Sequence, residues 1–111
     1  MGKHKDTINL IATIKNGVEC ILDKVEGEDN TPMIRHRIAL SIATFLLRFT
    51  DSTTSMTFDC DQSNNSYGAP YITVDITVRP VHSSRDHHIK CRVKSASYSA
   101  HKGFNNAMKG I

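Results

Sequence analysis

The sequence predicts an α+β domain in which an N-terminal helical hairpin packs on one face of a three-stranded antiparallel sheet, in the order ααβββ. Three observations predict it. Apolar residues recur with a 3.6 period from Asp6 to about Val25, the stretch Thr31 to Phe49 is apolar almost all round, and after Phe49 the pattern switches to alternation in three separate runs. The 111 residues, 39% hydrophobic and 23% charged, suit one globular domain, residues 1–111, whose core needs no disulfide or metal.

In the first helix, Leu10, Ile11, Ile14, Val18, Ile21, Leu22 and Val25 form one stripe, with Asp6, Asn9, Thr13, Asn16, Glu19 and Asp23 outside it. Asp6 reads as the cap, which leaves residues 1–5 as a flexible N-terminus. Gly17 weakens the middle by about 1 kcal/mol relative to alanine. The acidic turn Glu26 to Asn30 is short, so the next helix returns antiparallel beside the first.

That second helix, TPMIRHRIALSIATFLLRF, is the centre of the fold. Thr31 is a good N-cap, and Pro32 fits the first helical position, where its missing N–H costs nothing. Ile34, Ile38, Ile42, Phe45 and Phe49 share one face, Leu40, Ala43 and Leu47 fill the flank, and Arg37, Ser41, Thr44 and Arg48 leave a narrow polar stripe. Such a helix has to be covered on two sides, by the rest of the chain or by a partner. The expected stacking therefore places the central helix on the sheet and the first helix on the central one.

The strands follow. Thr53 to Cys60 puts Met56, Phe58 and Cys60 inward, and the turn formers Asp61 to Pro70 separate it from the clearest strand, Tyr71 to Arg79, with Ile72, Val74, Ile76 and Val78 inward. Pro80 stops that strand. A third runs from His88 to about Ser95 with Ile89, Cys91 and Val93 inward, and short connections make the three a meander. Residues 96–111 form either a short helix around Phe104–Lys109 or a mobile tail. One sheet face stays polar, and two free edges make a homodimer the natural expectation.

No apolar run reaches the roughly 18–20 residues of a membrane span. The start MGKHKD has no apolar segment after its lysines, and Asp6 stands where a myristoylation motif has Ser or Thr, so neither a secretory leader nor a lipid anchor is read there. Cys20, Cys60 and Cys91 are odd in number and dispersed, which points to reduced thiols in a cytoplasmic setting. The sequon Asn64-Asn65-Ser66 is then accidental.

Charge distribution is the main functional clue. Residues 1–78 carry seven Lys/Arg against ten Asp/Glu, whereas residues 79–111 carry seven Lys/Arg against Asp86 alone, inside a net charge of +3. A one-sided field attracts anions. The outward row Lys90, Arg92, Lys94, at strand spacing of roughly 7 Å, matches phosphates along an extended nucleic-acid strand, and Arg79, Arg85 and Lys102 extend the candidate site. Tyr71 alone is a candidate stacking platform on that face.

Other chemistries lack their residues. His82, Asp86, His87 and His88 are metal-competent, but adjacent histidines on a strand point to opposite faces and no second cluster completes a site. Neither GxxxxGK[ST] nor GxGxxG occurs, and Cys60 and Cys91 face inward, so no catalytic set and no cofactor is read. From Met33 the order helix, three strands, short helix is similar to a double-stranded-RNA-binding domain. That family's lysine run is replaced here by His101-Lys102-Gly103-Phe104-Asn105-Asn106, and the family is not assigned.

The sequence thus leads to a non-catalytic binding protein whose basic C-terminal third engages an anionic partner, with nucleic acid favoured and no membrane involved. The alternatives are an inhibitor or accessory module occluding an acidic protein surface, and a binder of nucleotides or other small phosphates in a dimer cleft.

Overall fold

The computed structural model describes residues 2–66 and 68–98, with side chains from residue 6 onward. The elements are α1 (Gly2–Asp23), α2 (Pro32–Leu46), a 3-10 helix (Leu47–Ser52), β1 (Thr53–Asp59), β2 (Tyr71–Pro80) and β3 (His87–Lys94). The helix or tail expected beyond residue 98, and Lys102 with it, lie outside the described residues.

Both helix starts have a local cause. Thr31 is extended (φ −116°, ψ 159°) and its hydroxyl accepts from the Ile34 N–H at 3.3 Å, the cap its sequence position promised. α1 instead begins at Gly2, ahead of Asp6, which therefore lies inside the helix and caps nothing. Lys3, His4 and Lys5 contain no breaker to stop the helix from extending backwards. At its other end α2 is shorter than its apolar pattern. The chain tightens after Leu46 into the 3-10 helix, where the Thr50 and Thr53 hydroxyls donate back to the Leu47 and Phe49 carbonyls and turn the backbone towards β1.

The sheet is the expected meander, β1-β2-β3, antiparallel throughout. β1 pairs β2 with Met56 opposite Val78 and Phe58 opposite Ile76, and β2 pairs β3 with Ile72 opposite Val93 and Val74 opposite Cys91. Alternation holds in β2 and β3, where Ile72, Val74, Ile76, Val78, Ile89, Cys91 and Val93 are all buried.

The helices are arranged differently from the expected stack. α1 lies directly over β3 and reaches β2, with Ile14, Val18 and Leu22 sealed between them, while Ile34, Ile38, Ile42 and Leu46 of α2 join the same core. Both helices thus share one layer on the sheet. In consequence the second flank, running from α2 into the 3-10 helix, is exposed: Leu40 is 58% and Leu47 68% exposed, and Ala43 between them is exposed as well. α1 cannot cover that flank because its own stripe is spent on the sheet.

Close approach of the helices explains Gly17. Leu10 and Thr13 share a groove with Phe49, Gly17 meets Phe45, and Ile21 shares a groove with Leu40, so the pair runs antiparallel. A Cβ on Gly17 would fall 2.0 Å from Phe45 Cζ, well inside contact distance. Phe45 is held in turn by an edge-to-face contact with Phe49, centroids 5.2 Å apart, and by the Arg48 guanidinium 5.6 Å from its ring.

A buried polar network pins the β1–β2 connection. Asn30 donates to Asn65 Oδ1 at 3.1 Å and to the Tyr71 carbonyl at 2.9 Å, and its own Oδ1 accepts from Arg35 at 2.6 Å. Asn65 closes two bonds onto β2, accepting from the Thr73 N–H and donating to the Thr73 carbonyl, both at 2.9 Å. Asn30, Arg35 and Asn65 are each at most 7% exposed. At the same end of the sheet, Gly27 with φ +84° donates to the Lys94 carbonyl at 2.9 Å, tying the helical hairpin to the end of β3.

The three thiols are unequal. Cys20 is exposed, whereas Cys60 and Cys91 are buried. Burial pushes the Cys60 thiol up to about 11 and raises Cys91 as well. A disulfide reagent at pH 8 is expected to titrate Cys20 alone in the folded protein and the other two only after denaturation. Because the folded state holds Cys60 protonated, its contribution is complete below the ordinary thiol value of 9.0 and is lost as pH climbs towards 11. Cys60→Val should therefore lose stability less steeply across that window in urea titrations than the parent protein.

Candidate nucleic-acid interface

The helices occupy one side of the sheet and leave the other open. Its columns are Ser55, Thr57 and Asp59 from β1, the odd-numbered residues Tyr71 to Arg79 from β2, and His88, Lys90, Arg92 and Lys94 from β3. The β1 and β3 side chains on this face are exposed, and those of the central strand are half-buried between them, apart from exposed Arg79. Three of the six candidate cations, Lys90, Arg92 and Lys94, form a continuous column because a strand returns every second residue to the same side.

Their electrostatic situations differ. Lys90 Nζ lies 4.0 Å from Asp75 Oδ1, and Asp75 also accepts from Asn64 Nδ2 at 2.7 Å. Arg79 sits on the same face at the opposite end, roughly 26 Å along the strand from Tyr71, where it pairs with Asp86 at 2.9 Å. Arg85 is away from this face, in the β2–β3 hairpin. Among the described residues Arg92 and Lys94 are in no ion pair. Unpaired positive charge among the described residues of this face therefore lies at the C-terminal end of β3, while Asp59 on β1 and Asp75 on the central strand carry the negative charge.

That basic end is also aromatic. The Arg92 guanidinium lies 4.1 Å from the centroid of Tyr71, Lys94 Nζ lies 4.7 Å from that of Tyr98, and the two rings meet edge-to-face at 5.5 Å and 65°. Tyr71 arrives there as the outward residue opposite Lys94. Tyr98 is brought back by a turn: Ser95 Oγ accepts from the Ser97 N–H, the Tyr98 N–H donates to the Ser95 carbonyl, and the Ala96 N–H donates to the Glu28 carbonyl. Sequence reading found Tyr71 alone. The signal for the second ring was Ser95-Ala96-Ser97, whose first serine can cap a turn just after a strand.

Elsewhere, Arg85, His82 and His87 line a groove of about 630 Å³ beside Thr7, Ile8 and Ile11 of α1. His82 there has a left-handed backbone, φ 71°. The adjacent histidines separate as strand geometry requires. His87 turns to the groove, whereas His88 lies on the open face within 3.2 Å of the Thr77 hydroxyl. Among the described residues no group of three His, Cys, Asp or Glu side chains is placed to hold a metal ion, and no helix is long and apolar enough to cross a membrane.

Among the described residues the open face can thus offer anions two cations in no ion pair, Arg92 and Lys94, and a third, Lys90, in a loose one, with threonine hydroxyls alongside and two tyrosines at one end. No protein-family model, no curated protein and no solved structure matches this chain.

Proposed function

We propose that the protein binds nucleic acid through its phosphate backbone, using the open face of the sheet, and acts by binding rather than catalysis. The observation that carries this reading is the exposed column Lys90, Arg92 and Lys94, two of whose members have no acidic partner among the described residues. Residues two apart on a strand stand roughly 7 Å from each other, close to the phosphate repeat of an extended strand. Phosphate contacts release counterions, which makes affinity fall with salt and leaves sequence largely unread. Arg79, committed to Asp86, and Arg85, in the hairpin, are peripheral in this reading, and Lys102 is a further contact. A cytoplasmic setting and a homodimer through a free strand edge belong to the same proposal.

Replacing Lys90, Arg92 and Lys94 together by alanine should weaken binding at least tenfold at low salt. The slope of log affinity against log salt should fall by about 2 to 3 as measured by fluorescence anisotropy, with the circular dichroism spectrum unchanged. Unchanged affinity would remove the sheet face from the mechanism.

A second reading has its own observation. The flank running from α2 into the 3-10 helix, with Leu40, Ala43 and Leu47 exposed, favours a protein partner and hence an accessory or inhibitory module. Under that reading Leu40→Glu with Leu47→Glu abolishes capture of a protein target from nuclease-treated extract and leaves nucleic-acid binding intact.

A further inference from the structure

We infer that the end of the open face holding Tyr71, Tyr98, Arg92 and Lys94 is a stacking site for an unpaired base, so that the nucleic acid bound is single-stranded. This rests on the phosphate-binding reading and specifies its ligand.

Four observations converge on it. The two rings are in contact with each other at 5.5 Å and only half-buried, at the boundary of a face that nothing else among the described residues covers. Each carries a cation, Arg92 on Tyr71 and Lys94 on Tyr98. Those two cations are the members of the column without an acidic partner among the described residues, so base platform and phosphate ligands coincide. Of the acidic side chains of the face, Asp75 lies on Tyr71's own strand two same-face positions further along, opposite Lys90, and Asp59 lies beyond it on β1, so neither stands directly opposite Arg92 or Lys94.

The chemistry follows from that geometry. A duplex keeps its bases stacked inside and presents phosphates and groove edges, so it can use the cations but not the rings. A single strand can turn one base onto a tyrosine, or onto the exposed Arg92 guanidinium that Tyr71 supports, while the flanking phosphates reach Lys94 and Lys90. Stacking is tolerant of base identity because every base has a π-face. The rings therefore add strand-form selectivity to a contact that charge alone would leave indifferent.

The test uses the full chain and fluorescence anisotropy with four labelled probes of equal length: oligo-uridylate, oligo-deoxythymidylate, an abasic deoxyribose-phosphate oligomer and a duplex. Wild type should bind both base-bearing single strands about tenfold or more tighter than the abasic oligomer. Tyr71→Val with Tyr98→Leu should bring the single strands down to the abasic level without changing the salt slope, since every cation remains. Tyr71→Phe with Tyr98→Phe keeps both π-faces and should keep the affinity, which separates stacking from a folding defect. Equal binding of abasic and base-bearing strands, no response to the Val/Leu pair, or a duplex bound tighter than either single strand would overturn the stacking site while leaving phosphate binding in place. No binding of any probe by wild type at low salt would overturn both.

Discussion

Replacing Asn65 by alanine should destabilise the fold by about 2–4 kcal/mol, enough to lower the melting temperature by more than 10 °C in a domain of this size. One side chain connects three parts of the chain, the α1–α2 turn, its own β1–β2 connection and β2. Its carbonyl oxygen accepts from Asn30 and from the Thr73 N–H, and its amide donates to the Asp61 and Thr73 carbonyls and to Asn64. Truncation leaves one N–H of the Asn30 amide and the Thr73 N–H without the oxygen that accepts from them, in a place where Asn65 was only 7% exposed. The loss should spread to Arg35, whose guanidinium is oriented by Asn30 Oδ1 and the Asn30 carbonyl. Asn64→Ala is the control. Asn64 also makes several bonds, to the Asp59 and Thr73 carbonyls and to Asp75, but it is partly open to water, which can replace them, so less than about 1 kcal/mol is expected. Urea unfolding of the two variants reads the difference directly, and equal losses would mean that the network is not the stabilising element.

The second large effect is a reversal of sign at Gly17. On helix propensity alone Gly17→Ala gains about 1 kcal/mol. Against that, the new methyl falls 2.0 Å from Phe45 Cζ and 2.6 Å from both neighbouring ring carbons, so the ring must swing or the helices must separate. Phe45 has little freedom to swing, being braced by Phe49 and Arg48. Overpacking of this kind costs about 1–3 kcal/mol and should outweigh the propensity gain, giving a less stable protein. With Phe45→Ala already in place the obstacle is gone, and Gly17→Ala should stabilise by up to about 1 kcal/mol. The double-mutant cycle then shows a coupling of about 2 kcal/mol or more. Additive effects would mean that Gly17 serves only the backbone.

Much of this architecture was legible because it depends on local periodicity. Alternation in Tyr71–Arg79 and in the strand after His88 fixed inside and outside correctly, and Thr31-Pro32 fixed where α2 starts. What could not be read were relations between distant segments. Whether α1 or α2 lies on a given strand depends on helix phase and crossing geometry, and both have stripes apolar enough for the task. Gly17 looked like a helix defect because the reason for it stands 28 positions away, in Phe45. Asn30, Asn64 and Asn65 looked like ordinary turn formers, since their burial follows only once the strands pair. At the candidate site the basic column was visible from spacing, but its division into paired and unpaired cations was not. That division depends on the register that sets Asp75 opposite Lys90, and on the hairpin that brings Asp86 to Arg79. Tyr98 was hidden for the same reason: a turn, not a strand, delivers it.

The seating of α1 on β3 also governs how the chain can be born. The first helix packs mainly against the last strand, so Ile14, Val18 and Leu22 lack their main cover until about 70 further residues have been made. At roughly 5–20 residues per second that is several seconds during which the apolar stripe of α1 waits for that cover. Fusing β3 and its preceding hairpin ahead of α1, by circular permutation, would remove the wait. The order of synthesis thus leaves open for a time an apolar surface that the finished fold conceals.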